Sequence, residues 1–150
     1  DLSAFISASG IDVKGGVKRE ASASGSGIDA YSWETGSGLF GSAEVRTMAS
    51  GESFEDLTAR YLSRTQGRCT GEFASVPVLD AGQSGVTPVK AFEVACLGDD
   101  ANASASIVFF VKAGQFVTVA HEAPLEGMDM AMDARDRIVA AARQDKIASN

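Results

Sequence analysis

The sequence contains few of the residues that catalytic and metal sites most often need. Its 150 residues include one histidine, two cysteines and one tryptophan, and the cysteines are not arranged as C-x-x-C. A four-ligand zinc site would have to be completed by carboxylates, and no typical ligand spacing is present. A G-x-S-x-G nucleophile motif is also absent. We therefore expect no cofactor, no metal site and no catalytic residue.

Positive charge and long hydrophobic runs are also scarce. Lys and Arg number 13 against 20 Asp and Glu, which gives a net charge of −7. This balance disfavours nucleic acid and anionic membrane surfaces, because both require clustered basic residues. No apolar run approaches the roughly 20 residues of a membrane span. We expect neither nucleic-acid binding nor membrane insertion.

The first 27 residues differ in composition from the rest. They are rich in Ser, Gly and Ala, as in "REASASGSG", and begin at Asp1 without an initiator methionine. This start indicates that a preceding segment was removed, either a signal peptide or residues left out by design. We interpret residues 1–27 as a flexible segment with a weak strand around 11–18, and residues 28–150 as one domain.

From Ile28 the pattern predicts a sheet and two helices. Two strand-like runs, 28–34 and 38–48, flank "TGSG" as in a hairpin, so the G-x-G-x-x-G at 36–41 is not a dinucleotide loop. Helical spacing is found at about 53–66, ended by Gly67, and at about 124–143, with Pro124 near its start. Three further strands follow the first helix, and "FASVPVL" adds an edge strand. The expected fold is α+β, with a mostly antiparallel sheet packed between helices and a C-terminal helix.

The two cysteines border sheet elements. Cys69 follows the first helix, and Cys96 ends the strand pattern "AFEVAC". We predict a disulfide between them; the alternative is two separate buried thiols, as cytosolic proteins often carry.

The single histidine, His121, stands beside Glu122 and before an acidic helix. As an enzyme, the chain would be a small hydrolase or a cation-dependent enzyme using this pair. The alternative is structural, with His121 ending a strand and Glu122 flanking a helix start. Glu122, Glu126, Asp129 and Asp133 are spaced four, three and four apart. This spacing predicts an acidic helical face, which we assign to docking of a partner protein or a loosely held cation.

The order of elements resembles the Mog1/PsbP-like fold group. The residues that carry the resemblance are the hairpin "YSWETGSGLFGSAEV", the helix "SFEDLTARYL", the hairpin "IVFFVKAGQFVTVAHEAP" and the final helix "MDARDRIVAAA". Members of that group are mainly accessory or binding proteins, including extrinsic photosystem subunits, a small-GTPase release factor and bacterial envelope lipoproteins. The resemblance implies a non-enzymatic binding module.

Together these patterns predict a binding or accessory domain of the bacterial cell envelope, periplasmic or secreted, with the small hydrolase as the alternative. The expected partner is another protein, either basic or membrane-associated, and the chain itself is expected to be a monomer or a weak homo-oligomer.

Overall fold

A computed structural model describes residues 1–21, 27–78, 88–98 and 102–148. The helices are α1 (Leu2–Ala8), α2 (Phe54–Arg68) and α3 (Met128–Ala148), with a 3₁₀ turn (Leu125–Gly127) before α3. The strands are β1 (Val13–Glu20), β2 (Ile28–Thr35), β3 (Phe40–Thr47), β4 (Glu72–Pro77), β5 (Val89–Leu97), β6 (Asn102–Lys112) and β7 (Gln115–Pro124).

The seven strands form one antiparallel sheet in the order β1-β2-β3-β7-β6-β5-β4. The hairpin around "TGSG" joins β2 to β3, and a two-residue turn joins β6 to β7. β4 lies at one edge, as the proline in its sequence indicated, because Pro77 cannot donate a ladder hydrogen bond. The predicted α+β fold with an antiparallel sheet and a C-terminal helix is confirmed.

The central hairpin β6–β7 is buried on both sides of the sheet. Phe109 and Phe116 point to one side, where they pack against Phe54, Leu57 and Tyr61 of α2. Phe110 and Val119 point to the other side, towards the buried residues of α1 and α3. These two sides are called the α2 face and the α3 face. The uninterrupted apolar run 107–111 is explained by this double coverage, since both sets of alternating side chains need apolar partners.

Both predicted helices have different ends from those expected. Gly67 lies inside α2, which ends at Arg68, because Gly67 does not adopt the positive φ with which glycine ends a helix. Pro124 pairs with Ala103 as the last residue of β7, so the second helix starts later than expected. The buried stripe of α3 consists mainly of alanines around Ile138, whereas Met128, Met132 and Val139 are only partly buried.

The first 21 residues belong to the sheet and its core. β1 is the strand expected around 11–18, and it pairs with β2. The helix α1 was not expected; its Asp1 side chain caps Ser3, and Phe5 and Ile6 are buried against the α3 face. The flexible connection expected after β1 falls on residues 22–26, outside the described residues.

The predicted disulfide is present. Cys69, directly after α2, is bonded to Cys96 near the end of β5, with the two Cα atoms 5.7 Å apart. The bond ties the end of α2 to the half of the sheet on which α2 packs.

Reducing this bond is expected to lower the free energy of unfolding. In the chain-entropy model, closing a loop over 27 positions lowers the entropy of the unfolded chain and so raises its free energy by about 3.5 kcal/mol. Urea unfolding of the oxidised protein and of the Cys69→Ser/Cys96→Ser variant measures the difference. Equal unfolding midpoints for the two proteins would contradict the expectation.

Candidate functional site: a groove beside α2

The histidine and the glutamate of the expected enzyme pair lie on opposite faces of the sheet. Both belong to β7, in which successive side chains alternate between the two faces. His121 points to the α3 face and is 1% exposed, whereas Glu122 is exposed on the α2 face. The pair therefore cannot act together on one substrate, and His121 does not end a strand, since β7 continues to Pro124.

His121 is held in place by Trp33. The indole Nε1 of Trp33 donates a hydrogen bond to His121 Nε2 over 3.2 Å, and the two rings meet edge to face. Gly41 lies between them in the sheet, paired with both residues. A Cβ atom at Gly41 would lie 2.0 Å from Trp33 Nε1, so only glycine leaves room for the indole. Burial lowers the pKa of His121 to about 4, and the imidazole is neutral at physiological pH.

A row of polar side chains extends from His121 across the α3 face, and it consists of His121, Ser106, Glu93 and Arg135. Ser106, directly opposite His121 on β6, donates to Glu93 of β5 over 2.6 Å. Arg135 of α3 donates to the same carboxylate over 2.5 Å, and its side chain is 12% exposed. The only serine that faces His121 across a strand pair is thus bonded elsewhere and closed to solvent. The row attaches α3 to the sheet and offers no accessible nucleophile.

The depressed pKa of His121 predicts a loss of stability in acid. Between pH 6.5 and about 4 the unfolded chain takes up a proton that the folded protein does not, so stability falls as the pH drops through this window. At about 1.4 kcal/mol for each pKa unit, the loss between pH 7.5 and 4.5 is about 2.5 kcal/mol. The variant His121→Gln stays neutral and should lack this loss. Urea unfolding at pH 7.5, 6.0 and 4.5 compares the two proteins, and parallel profiles would refute the prediction.

The acidic stripe expected on one helix is divided by the structure. Glu122 belongs to β7 and Glu126 to the 3₁₀ turn. Asp129 is in the first turn of α3, where the positive end of the helix dipole favours an acid. Asp133 accepts a 2.9 Å hydrogen bond from Arg137. Four acids on one helical face were expected because the helix was placed four residues too early. Docking of a partner at Glu122, Glu126, Asp129 and Asp133 stays a prediction.

Neither a metal cluster nor a membrane helix is found in the described ranges. Within them, no three His, Cys, Asp or Glu side chains are grouped so that they could hold a metal ion. None of the helices described is long and apolar enough to cross a membrane.

A large open space lies on the α2 face. α2 packs over β5, β6 and β7, and its buried cluster includes no fully buried residue of β1–β3. The uncovered strands and α2 form a groove with two ends that share Ile28, Glu44, Tyr61 and Arg64. The deep end, with Phe116 and Thr118 on its floor, has a volume of about 410 Å³. The shallow end, extending to Phe40, Arg68 and Glu122, measures about 580 Å³. We call the whole space the α2 groove.

Arginines line one wall of the α2 groove. Arg60, Arg64 and Arg68 follow one another at every fourth position of α2, which places them on one side of the helix. Arg64 bonds Glu44 over 3.2 Å and lies over the ring of Tyr61. Arg68 forms no ion pair with any described residue.

A fourth arginine, Arg46 of β3, reaches the deep end of the groove. Arg46 and Arg60 both bond Glu52, over 2.8 Å and 3.3 Å. The amide of Ala49 donates to the Glu52 carboxylate, and this bond together with the two guanidinium groups outweighs partial burial and lowers the pKa of Glu52. One ionised carboxylate therefore serves two arginines, and the deep end keeps a surplus of positive charge.

Two hydroxyl groups in the deep end lack hydrogen-bond partners among the described residues. Thr118 is 1% exposed, and its Oγ1 makes no hydrogen bond. Tyr61 is 8% exposed, and its hydroxyl bonds no described residue. Burial, and secondarily the charge of Glu44, raises the pKa of Tyr61 to about 12, so this hydroxyl is a donor at physiological pH. Only Thr118 Oγ1 is closed to solvent, and at such a buried hydroxyl an unmade hydrogen bond costs about 1–3 kcal/mol.

The α2 groove was not anticipated from the sequence. The sequence does show that Arg60, Arg64 and Arg68 are spaced four residues apart. This spacing could have indicated a helix with one basic side in an otherwise acidic chain. The partners of that side come from β2, β3 and β7, more than a dozen residues away in each case, so the sequence alone could not place them.

Comparison with models of known protein families finds no match, and comparison with curated proteins finds none either. Any functional conclusion therefore depends on the site itself.

The unpaired hydroxyl of Thr118 predicts that its removal stabilises the protein. Thr118→Val keeps the shape and should raise the free energy of unfolding by about 1 kcal/mol, which corresponds to roughly 2–4 °C in Tm. Thr35→Val is the matched control, because the buried Thr35 hydroxyl accepts a 3.0 Å hydrogen bond from the Leu39 amide. Its removal should lower the Tm. Thermal unfolding gives the comparison. A lower Tm for Thr118→Val would show that its hydroxyl is satisfied in solution.

Proposed function

We propose that the protein is a non-enzymatic binding domain of the bacterial cell envelope, and that the α2 groove is its binding surface. The observation that carries the proposal is the combination, in one open groove, of a wall of arginines and a Tyr61 hydroxyl that bonds no described residue. Such groups are costly unless a ligand or solvent satisfies them, and a cleft that retains them is suited to binding.

The arrangement around His121 argues for binding rather than for hydrolysis. The imidazole is closed to solvent by the sheet and α3, and it accepts from Trp33 at the nitrogen that a general base would use. Ser106 and Glu93 are joined to each other and to Arg135. All these groups have a structural role, and the hydrolase alternative gains no support from them.

The assignment to the cell envelope is supported by the disulfide. A bond such as Cys69–Cys96 persists in oxidising compartments and is rare in the cytosol of most organisms. The resemblance to the Mog1/PsbP-like group, whose members are mainly accessory or binding proteins, points in the same direction and is part of the proposal. A periplasmic or secreted location follows from both.

Photo-crosslinking tests whether the groove is the binding surface. A benzophenone amino acid replaces Ser42, whose side chain lines the shallow end, or Ala140, which is exposed on α3 far from the groove. Each protein is irradiated in a bacterial envelope extract, and intact-mass analysis reports any adduct, whether small molecule or protein.

We expect an adduct of defined mass at position 42 that excess unlabelled protein suppresses, and none at position 140. Adding Ala30→Trp, which fills the groove, should abolish the adduct at position 42. Equal labelling at both positions, or labelling that survives Ala30→Trp, would count against the proposal.

A further inference from the structure

The deep end of the α2 groove has the size and lining of a small-molecule site. Its volume of about 410 Å³ falls within the range of about 300–1,000 Å³ that is usual for ligand pockets. Ile28, Leu57 and Phe116 supply an apolar lining. Cross-strand pairing fixes the floor, because Arg46 stands between Ile28 and Phe116 and Glu44 stands between Ala30 and Thr118.

Most hydrogen-bond donors of the deep end bond no residue in the described ranges. A guanidinium group carries five N–H donors. Arg46 uses only Nη2 on Glu52, Arg60 only Nη1, and Arg64 only Nη2 on Glu44. The Tyr61 hydroxyl adds a further donor between Arg64 and the floor. Several donors that converge on one cavity, with an apolar lining beside them, match a ligand that has an anionic head and an apolar body.

The balance of charge decides between a monoanion and a dianion. Three arginines line the deep end, and Glu44 and the nearby Glu52 oppose them, which leaves about one positive charge. A dianionic phosphate would not be neutralised and would be repelled by Glu44. A carboxylate is planar, carries a single charge and can accept from guanidinium and hydroxyl donors together.

We propose that the deep end of the α2 groove binds a small organic monocarboxylate with an apolar body, held by Arg60, Arg64 and the Tyr61 hydroxyl. This assignment rests on the proposed binding function and names the class of its ligand. It also supplies a partner for the Tyr61 hydroxyl, which bonds no described residue.

The test is an NMR titration of ¹⁵N-labelled protein at low ionic strength with 2-naphthoate as the probe. 2-Naphthamide, which has the same body without the charge, and acetate, which has the head without the body, are titrated in parallel. We expect 2-naphthoate to shift the amide signals of Leu57, Tyr61 and Thr118 saturably, with a Kd at least tenfold below that of either analogue.

Variants assign the contacts. Tyr61→Phe removes a hydroxyl that bonds no described residue, so it should keep the Tm and raise the Kd for 2-naphthoate at least fivefold. Arg64→Gln should raise it by a similar factor. Arg19→Gln is the matched control, because it removes the same charge outside the groove. Arg19 of β1 pairs there with Asp29 of β2. Its Kd should change less than twofold.

Three results would overturn the inference. Equal binding of 2-naphthoate and 2-naphthamide at the same amides would reject the carboxylate while leaving the groove a binding surface. If Arg64→Gln and Arg19→Gln raised the Kd for 2-naphthoate equally, the effect would be due to the net charge of the protein and not to a contact with Arg64. The absence of shifts in the deep end with any probe would remove the small-molecule site, and the crosslink at position 42 would then decide separately whether the groove has another occupant.

Discussion

The double burial of the β6–β7 hairpin is the constraint on which the rest of the structure depends. Its alternating side chains need apolar cover on both faces, and α2 supplies it on one face while α1 and α3 supply it on the other. Among the described residues, α2 is the helix that covers the α2 face, and it packs on β5, β6 and β7. No described helix packs on the β1–β3 half of that face, and the α2 groove lies there.

The two faces of the sheet differ in how they treat polar groups. On the α3 face, every polar side chain of the central row has a partner: Trp33 bonds His121, and Ser106 and Arg135 both bond Glu93. Such a satisfied row stabilises the position of α3. On the α2 face, the hydroxyls of Thr118 and Tyr61 have no partner among the described residues, and most donors of the groove arginines bond none of those residues. Incomplete satisfaction is costly for stability, and it is what a binding site requires.

Much of the fold could be read from local patterns, and the errors have local causes. The hairpin at "TGSG", the apolar run 107–111 and the helical spacing from Phe54 were sufficient to predict the sheet and two helices. α1 was missed because seven residues in a Ser- and Ala-rich start carry little periodic signal. The start of α3 was placed at Pro124 because proline favours the first helical turn, although here β6 pairs with β7 as far as that proline.

By itself, the sequence determined the double cover of residues 107–111, the helical spacing that begins at Phe54 and the acidic balance of the chain. These properties depend on neighbouring residues, whose geometry a strand or helix fixes locally. Only the tertiary structure decided that His121 meets Trp33 across Gly41, that β7 keeps His121 and Glu122 on opposite faces, and that Arg60 and Arg64 line one cavity with Thr118. Those contacts join distant segments, and they depend on strand order and register, which local patterns do not specify.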